Sequence, residues 1–545
     1  MAVVELMLMI SKSNTAMVQN GWLVKIKKKL LLHSRSLTFI GGSFAISAWA
    51  MLRFFVKPST FDLVGQQLLA SQWIKGFHSG ATLGPTNYIL KILFVYIPFG
   101  WLHISPRLGL VLMTLIIDIA TYILLVLVLE KIVLQFFKNL NVVFYLSCLW
   151  LALMAGSMYW IQFANSRNIE IAGGLLVVSM GFGYIKSSSI YRLIAITTLS
   201  SLVLFADPLQ LYMTLVPFLL YEFIVTLTPK FNQKSLTKWL GLVVALMLGF
   251  GGSKLLTLIA QKIWNVNFIA LTFHRNGLNI LATITRGLEP AVKQMARLYV
   301  GGYEYGRYVE ALNLMFVSII VIIGLYYMFK KLLPIKLTIF VLTFWFCDLA
   351  FYILSGQALQ NQTSRYLIMT IPIFVILLTG ILSINNKLRI KLVISTIIII
   401  LINSLTLVSA LTSNWNPSFT KDSHISSVIS FMTTNKYPYA YASMDDALPA
   451  DYYSNSQVKI LPLSCNNGTL APSYLFFDKG YYKATSDLKT ATVPLILDGN
   501  QIANTPSVCS LASIKSEIGQ WQSVKYLSDG SMVLIFNHDQ TKSFR

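Results

Sequence analysis

Two carboxylates stand where transfer chemistry could begin. Asp62 is the only acid between Lys57 and Arg107, within the polar stretch KPSTFDLVGQQLLASQWIKGFHSGATLGP. Glu170 closes the turn Ser166-Arg167-Asn168-Ile169-Glu170. A carboxylate can take a proton from a hydroxyl or hold a hard divalent ion. Arginines recur in the other polar turns, at Arg275, Arg286, Arg297, Arg307 and Arg365. Their guanidinium forks match phosphate oxygens. Together these groups suit transfer from a phosphate-linked donor. Each also has a plainer reading: Asp62 in a solvated loop, Glu170 paired to a neighbouring helix, the arginines snorkelling to lipid phosphates. Asp207, before a proline, reads as structural. Asp118 and Asp348 fall inside apolar runs, where an acid either works or bonds helix to helix. The sequence carries no Walker loop, dinucleotide fingerprint, zinc spacing or nucleophile elbow, and its six histidines are scattered. Paired glycines such as Gly173-Gly174 and Gly251-Gly252 read as helix-packing sites.

The elements that must position these residues are membrane helices. Hydrophobic residues make up 55% of the 545 and charged residues 12%, with mean hydropathy +0.64. A soluble chain would be about a quarter charged. The net charge of +22 does not indicate nucleic acid, because residues 412–545 hold ten basic and ten acidic residues that cancel. The excess therefore sits among the apolar runs, where basic residues orient spans. About eleven spans are expected, the first at 37–56 and the last at 392–411. The run 88–104 contains Lys91 and Pro98 and reads as re-entrant or interfacial. Alternate loops carry Lys131/Lys138, Lys186/Arg192, Lys230/Lys234/Lys238, Lys330/Lys331/Lys336 and Lys387/Arg389/Lys391, on the side of the Lys25–Lys29 cluster. That assigns residues 1–36 to the cytoplasm, 37–411 to a multi-pass region with outer loops 57–106 and 260–308, and 412–545 to an extracytoplasmic α/β domain. Strands are expected near 439–442, 458–463, 493–497, 524–527 and 532–536, with a hairpin turn at Ser528-Asp529-Gly530-Ser531 and a helix from Ser423. Cys465 and Cys509 fall outside, where disulfides persist, and are expected to be bonded. Cys148 and Cys347 lie in apolar runs and read as core residues.

The chain resembles the GT-C superfamily of integral-membrane glycosyltransferases, bacterial type. The resemblance rests on the cytoplasmic N-terminus with about eleven spans, on Asp62 in a long first outer loop, on Glu170 in the next, and on the outer C-terminal domain. The texture of LLASQWIKGF and LGPTNYILKILFVYIP and of Ser364-Arg365-Tyr366 is also similar. It implies transfer of a sugar from a polyprenyl-phosphate-linked donor to an extracytoplasmic acceptor in the cell envelope, with the lipid bilayer as surroundings. Asp62 would be the base on the acceptor hydroxyl or would orient it. Glu170 would be a second acid, supporting the acceptor or a metal. Arg167, Arg365, Arg297 and Arg307 would hold the donor phosphate. Asp62 stands alone where the family often has a pair of acids, so a divalent cofactor (Mg or Mn, on Asp62 and Glu170 if any) is left open. The competing function is a transporter or flippase of a lipid-linked sugar, with Asp118 and Asp348 lining its path. A non-catalytic scaffold would leave the outer polar groups without a role.

Overall fold

The computed structural model describes residues 21–56, 61–84, 89–102, 104–154, 168–227, 233–269, 279–300, 306–356, 358, 367–384, 386–414, 423–466, 469–486, 492–497 and 509–537, with Asp62, Arg297 and Arg307 placed by backbone alone. The chain begins with α1 (Gly21–Val56), α2 (Phe61–Ile74), β1 (Ala81–Leu83) and α3 (Ile89–Trp101). There follow α4 (Pro106–Val133), α5 (Val142–Met154), α6 (Asn168–Ser187), α7 (Ile190–Ala206), α8 (Leu211–Leu227), α9 (Gln233–Trp264) and β2 (Val266–Phe268). Next come α10 (Ile280–Val300), α11 (Gly306–Phe329), α12 (Ile335–Leu354), α13 (Thr370–Ile384) and α14 (Asn386–Asn414). The C-terminal region comprises α15 (Ser423–Asn435), β3 (Ala440–Ser443), α16 (Met444–Tyr453), β4 (Ile460–Asn466), β5 (Thr469–Pro472), α17 (Lys479–Ser486), β6 (Val493–Leu497), α18 (Leu511–Ile518), β7 (Ser523–Tyr526) and β8 (Met532–Phe536).

Six of these helices are long and apolar enough to cross a bilayer: α4, α6, α9, α11, α12 and α14. A crossing takes about 20 apolar residues at a 1.5 Å rise. Helices α3, α5, α7, α8 and α13 are apolar but shorter, and residues 155–167, after α5, lie outside the described residues. The bundle is fastened by polar contacts that apolar packing cannot supply. Tyr122 donates to the carbonyls of Thr38 and Cys148, tying α4 to α1 and α5. Asn313 and Asn403 exchange amide hydrogen bonds between α11 and α14. Such bonds are retained in lipid because an unpaired amide there is costly. Helices α7 and α9 approach so closely that a Cβ on Gly249 would lie 1.9 Å from Ser200 Oγ.

The C-terminal region is an α/β fold on a six-stranded mixed sheet, in the order β5-β4-β3-β6-β8-β7. Strand β3 runs parallel to β4 and β6; the outer pairings are antiparallel. All four residues of β3 and all five of β6 are buried, as continuous apolar runs require of central strands. The edge strand β7 is exposed along its length. The turn joining β7 and β8 has Gly530 at φ 87°, where a left-handed residue is needed. The sequence did not mark β5, four residues paired to β4 as a short hairpin arm. Cys465 of β4 is bonded to Cys509, just before α18.

The described residues form two apolar cores, and these do not divide where the composition changes. One fills the helix bundle. The other begins in the C-terminal sheet, runs through α2 and α3, and ends on Leu110, Val111, Met113 and Ile117 of α4. The described part of the first loop, 57–106, therefore holds α2, β1 and α3 and is folded into the C-terminal region. Residues 64–70 of α2 are buried without interruption, because α16 covers one side of it and α3 the other. Gly65 permits this: a Cβ there would lie 2.9 Å from Phe476 Cβ and 3.1 Å from Leu448. The loop 260–308 likewise holds β2 and the helix α10.

Candidate functional site

Asp62 is the second residue of α2, so its position depends on how firmly that helix is held. A seam of hydrogen bonds holds the chain just beyond α2. Gln72 Oε1 accepts from Asp478 N at 2.8 Å. The Asp478 carboxylate accepts from the amides of Ser79, Gly80, Gly480 and Tyr481, at 2.7–3.4 Å. Strand β1 lies parallel to β2 in register Thr82 to Asn267, while Thr82 also exchanges backbone bonds with Tyr474 and Phe476. Segment 79–83 is thereby fixed at once to the end of α9 and to the C-terminal region. The first loop and the α/β region lie on the same side of the bundle.

On its other side α2 packs on α3, and α3 carries Lys91. Lys91 Nζ meets both oxygens of Glu170, at the start of α6, at 3.1 Å. The two side chains are 5% and 3% exposed. Taking both ions out of water is unfavourable, and the pair survives because each neutralises the other. Asp207, fully buried at the end of α7, bears electrostatically on Glu170. Its carboxylate accepts from Leu209 N and Gln210 Nε2, and Gln210 accepts in turn from Thr214. Gly174 makes room for this chain, since a Cβ there would lie 2.8 Å from Gln210 Oε1. A polar network thus sits at the junction of α3, α6, α7 and α8, one helix removed from α2.

This arrangement gives Glu170 the plainer of its two sequence readings, a partner on a neighbouring helix. Both its oxygens face Lys91, so in this arrangement it is not a free base. Nor do the described residues assemble a hard-cation site: no group of three or more His, Cys, Asp or Glu side chains is found among them. Arg167 and Arg365 lie outside the described residues. Arg297 belongs to α10 and Arg307 to the first turn of α11. Arg286 is exposed on α10. Asp118 is buried in α4 on the same helical face as the buried Thr114 and Thr121. Asp348 is buried in α12, and neither carboxylate oxygen has a hydrogen-bond partner among the described residues.

Residue spacing missed three groups. Lys91 carried a signal, a lone cation in an apolar run, but nothing identified its partner 79 residues away. Asp478 and Gln72, 406 residues apart, carried none. The third is His424 on α15. Its Nε2 meets Asp446 Oδ1 of α16 at 3.0 Å and its Nδ1 faces Asp529 in the β7–β8 turn. Ser443 donates to Asp446 and Ser531 Oγ lies 3.1 Å from Nδ1. Burial works against the imidazolium, but hydrogen bonds and charge from Asp446 and Asp529 outweigh it, so His424 is pushed up from 6.5 to about 9. With both ring nitrogens occupied by carboxylates, His424 is a clamp rather than a general base.

No protein-family model matches the chain, and no curated protein matches it in sequence.

Proposed function

We propose that this protein is a membrane glycosyltransferase of the GT-C type, moving a sugar from a polyprenyl-phosphate-linked donor to an extracytoplasmic acceptor. The observation that supports it is the burial of α2, the helix that carries Asp62, between the α/β region and α3. A base must be held within a fraction of an ångström of its working position. A helix buried from Val64 to Ala70 and sealed beyond its C-terminal end by the Asp478 bonds offers that rigidity. In this reading the six long helices together with α1, α5, α7, α8 and α13 make eleven crossings. The N-terminus is cytoplasmic and the α/β region lies outside, at the plasma membrane. Asp62 takes the proton of the acceptor hydroxyl. The Lys91–Glu170 pair positions α3 against α2. Arg167, Arg365, Arg297 and Arg307 are the donor-phosphate ligands. No step is routed through a metal.

Asp62→Asn keeps shape and polarity but cannot take the proton. The purified variant should fold and bind a polyprenyl-phosphate analogue normally, and transfer should fall by about a hundredfold or more. The second reading, a lipid-linked-sugar transporter, is favoured by one observation, the buried and unbonded Asp348 carboxylate within α12. Near-normal sugar transfer by Asp62→Asn, alongside loss of lipid-linked-sugar movement in Asp348→Asn, would replace the first reading with the second.

A further inference from the structure

Helix α10 presents three different faces, and each calls for a different neighbour. At 3.6 residues per turn, Thr283, Ala291, Gln294 and Leu298 fall on one side and are buried, packed toward α11 and α12. Gly287 lies within this face, where a Cβ would meet Ile353 at 3.1 Å. A second face carries Leu281, Ile284, Leu288 and Val292, and all four are exposed; Leu281 is 70% exposed and Leu288 50%. The third face carries Arg286, Glu289 and Lys293, also exposed, with Glu289 and Lys293 paired at 2.6 Å.

A helix wholly in water would leave the apolar face uncovered. A helix wholly in acyl chains would bury the charged one. Only the headgroup–acyl boundary of a bilayer satisfies both at once. The apolar face is also continuous in kind with surfaces that cannot face water. Helix α9 exposes Leu255, Leu258 and Ile263, and α11, which packs on α10, exposes Met315, Ile319 and Ile322. Basic Arg286 and Lys293 on the charged face complement anionic headgroups.

We propose that α10 lies in the plane of the membrane at its water boundary, with Ile284 and Leu288 in the acyl region and Arg286 and Lys293 among the headgroups. Helix α10 thus rests on lipid and fixes the depth of the bundle there. This goes beyond the glycosyltransferase reading and does not depend on it.

The test uses the full chain with Cys148→Ala and Cys347→Ala, leaving the Cys465–Cys509 bond intact. Nitroxides are attached singly at I284C, L288C, R286C and K293C, all exposed positions. The protein is placed in vesicles of phosphatidylcholine and phosphatidylglycerol, and collisions with dissolved oxygen and with a water-soluble nickel chelate are compared. The oxygen-to-nickel ratio should be several-fold higher at I284C and L288C than at R286C and K293C. Equal access of the nickel chelate to all four positions would overturn the proposal, since the helix would then be in water. Exclusion of both reagents from I284C and L288C would also overturn it, since a protein or a second copy would cover that face.

Discussion

Among single residues, the buried pair Lys91–Glu170 has the largest local consequence. Each ion is neutralised in that buried place by the other. Lys91→Met leaves a carboxylate stranded in an apolar junction and should cost about 3–5 kcal/mol of stability. The double variant Lys91→Met with Glu170→Gln removes both charges and should regain most of that loss. Thermal unfolding of the two variants in detergent measures both effects. A single variant as stable as the parent would mean that the pair does not hold α3 in place. Glu170 is then legible as an anchor, whereas the residue types alone left it divided between anchor and acid. Asp62 is the reverse case: its isolation as the only acid of the first loop is plain in the sequence, and its backbone position on a buried helix is a product of the fold.

Among elements, His424 joins three that are far apart in the chain: the start of α15, the start of α16 and the β7–β8 turn. Its folded value, about 9, lies above the ordinary 6.5. A group raised on folding contributes stability that is complete below about pH 6.5 and is lost as the pH rises through about 9. Hydrogen exchange of the β7–β8 hairpin in the full chain should therefore quicken across that window. In His424→Gln the exchange should already be fast at the lower pH and should change little. An unchanged rate across the window in the parent chain would show that the clamp does not hold the hairpin. The same linkage explains why the strands were legible and their joints were not. Apolar runs at 493–497 and 532–536 announce strands because buried central strands must be apolar. Which helix caps which turn depends on side chains a hundred residues apart.

For the whole molecule, the continuous core from the α/β sheet to α4 requires the first loop and the C-terminal region to share one side of the membrane. In the proposed orientation, which rests on the basic loops, that side is the exterior. Labelling of single cysteines in intact cells should reach N455C and should spare N386C until the membrane is opened. Reaction of N386C alone from outside would invert the orientation while leaving the shared side intact. The pair Arg35–Glu130 joins α1 to α4 near the C-terminal end of α4.

The sequence by itself determined that the chain is built mainly from apolar helices of the kind that cross a membrane, and that a strand-bearing region follows the last of them. These properties follow from local composition and period, because each helix or strand must match its own solvent. The cysteine pair at 465 and 509 was also legible, since only two cysteines lie in the polar region. Tertiary structure decided which polar groups meet. It gave Glu170 to Lys91, Asp478 to the loop after α2, and His424 to two aspartates. It also placed the helix α2, within the loop 57–106, against the C-terminal region. No local period encodes such pairings, because buried charges and orphaned amides are satisfied by whatever the chain brings within about 3 Å. That proximity is a property of packing between distant segments.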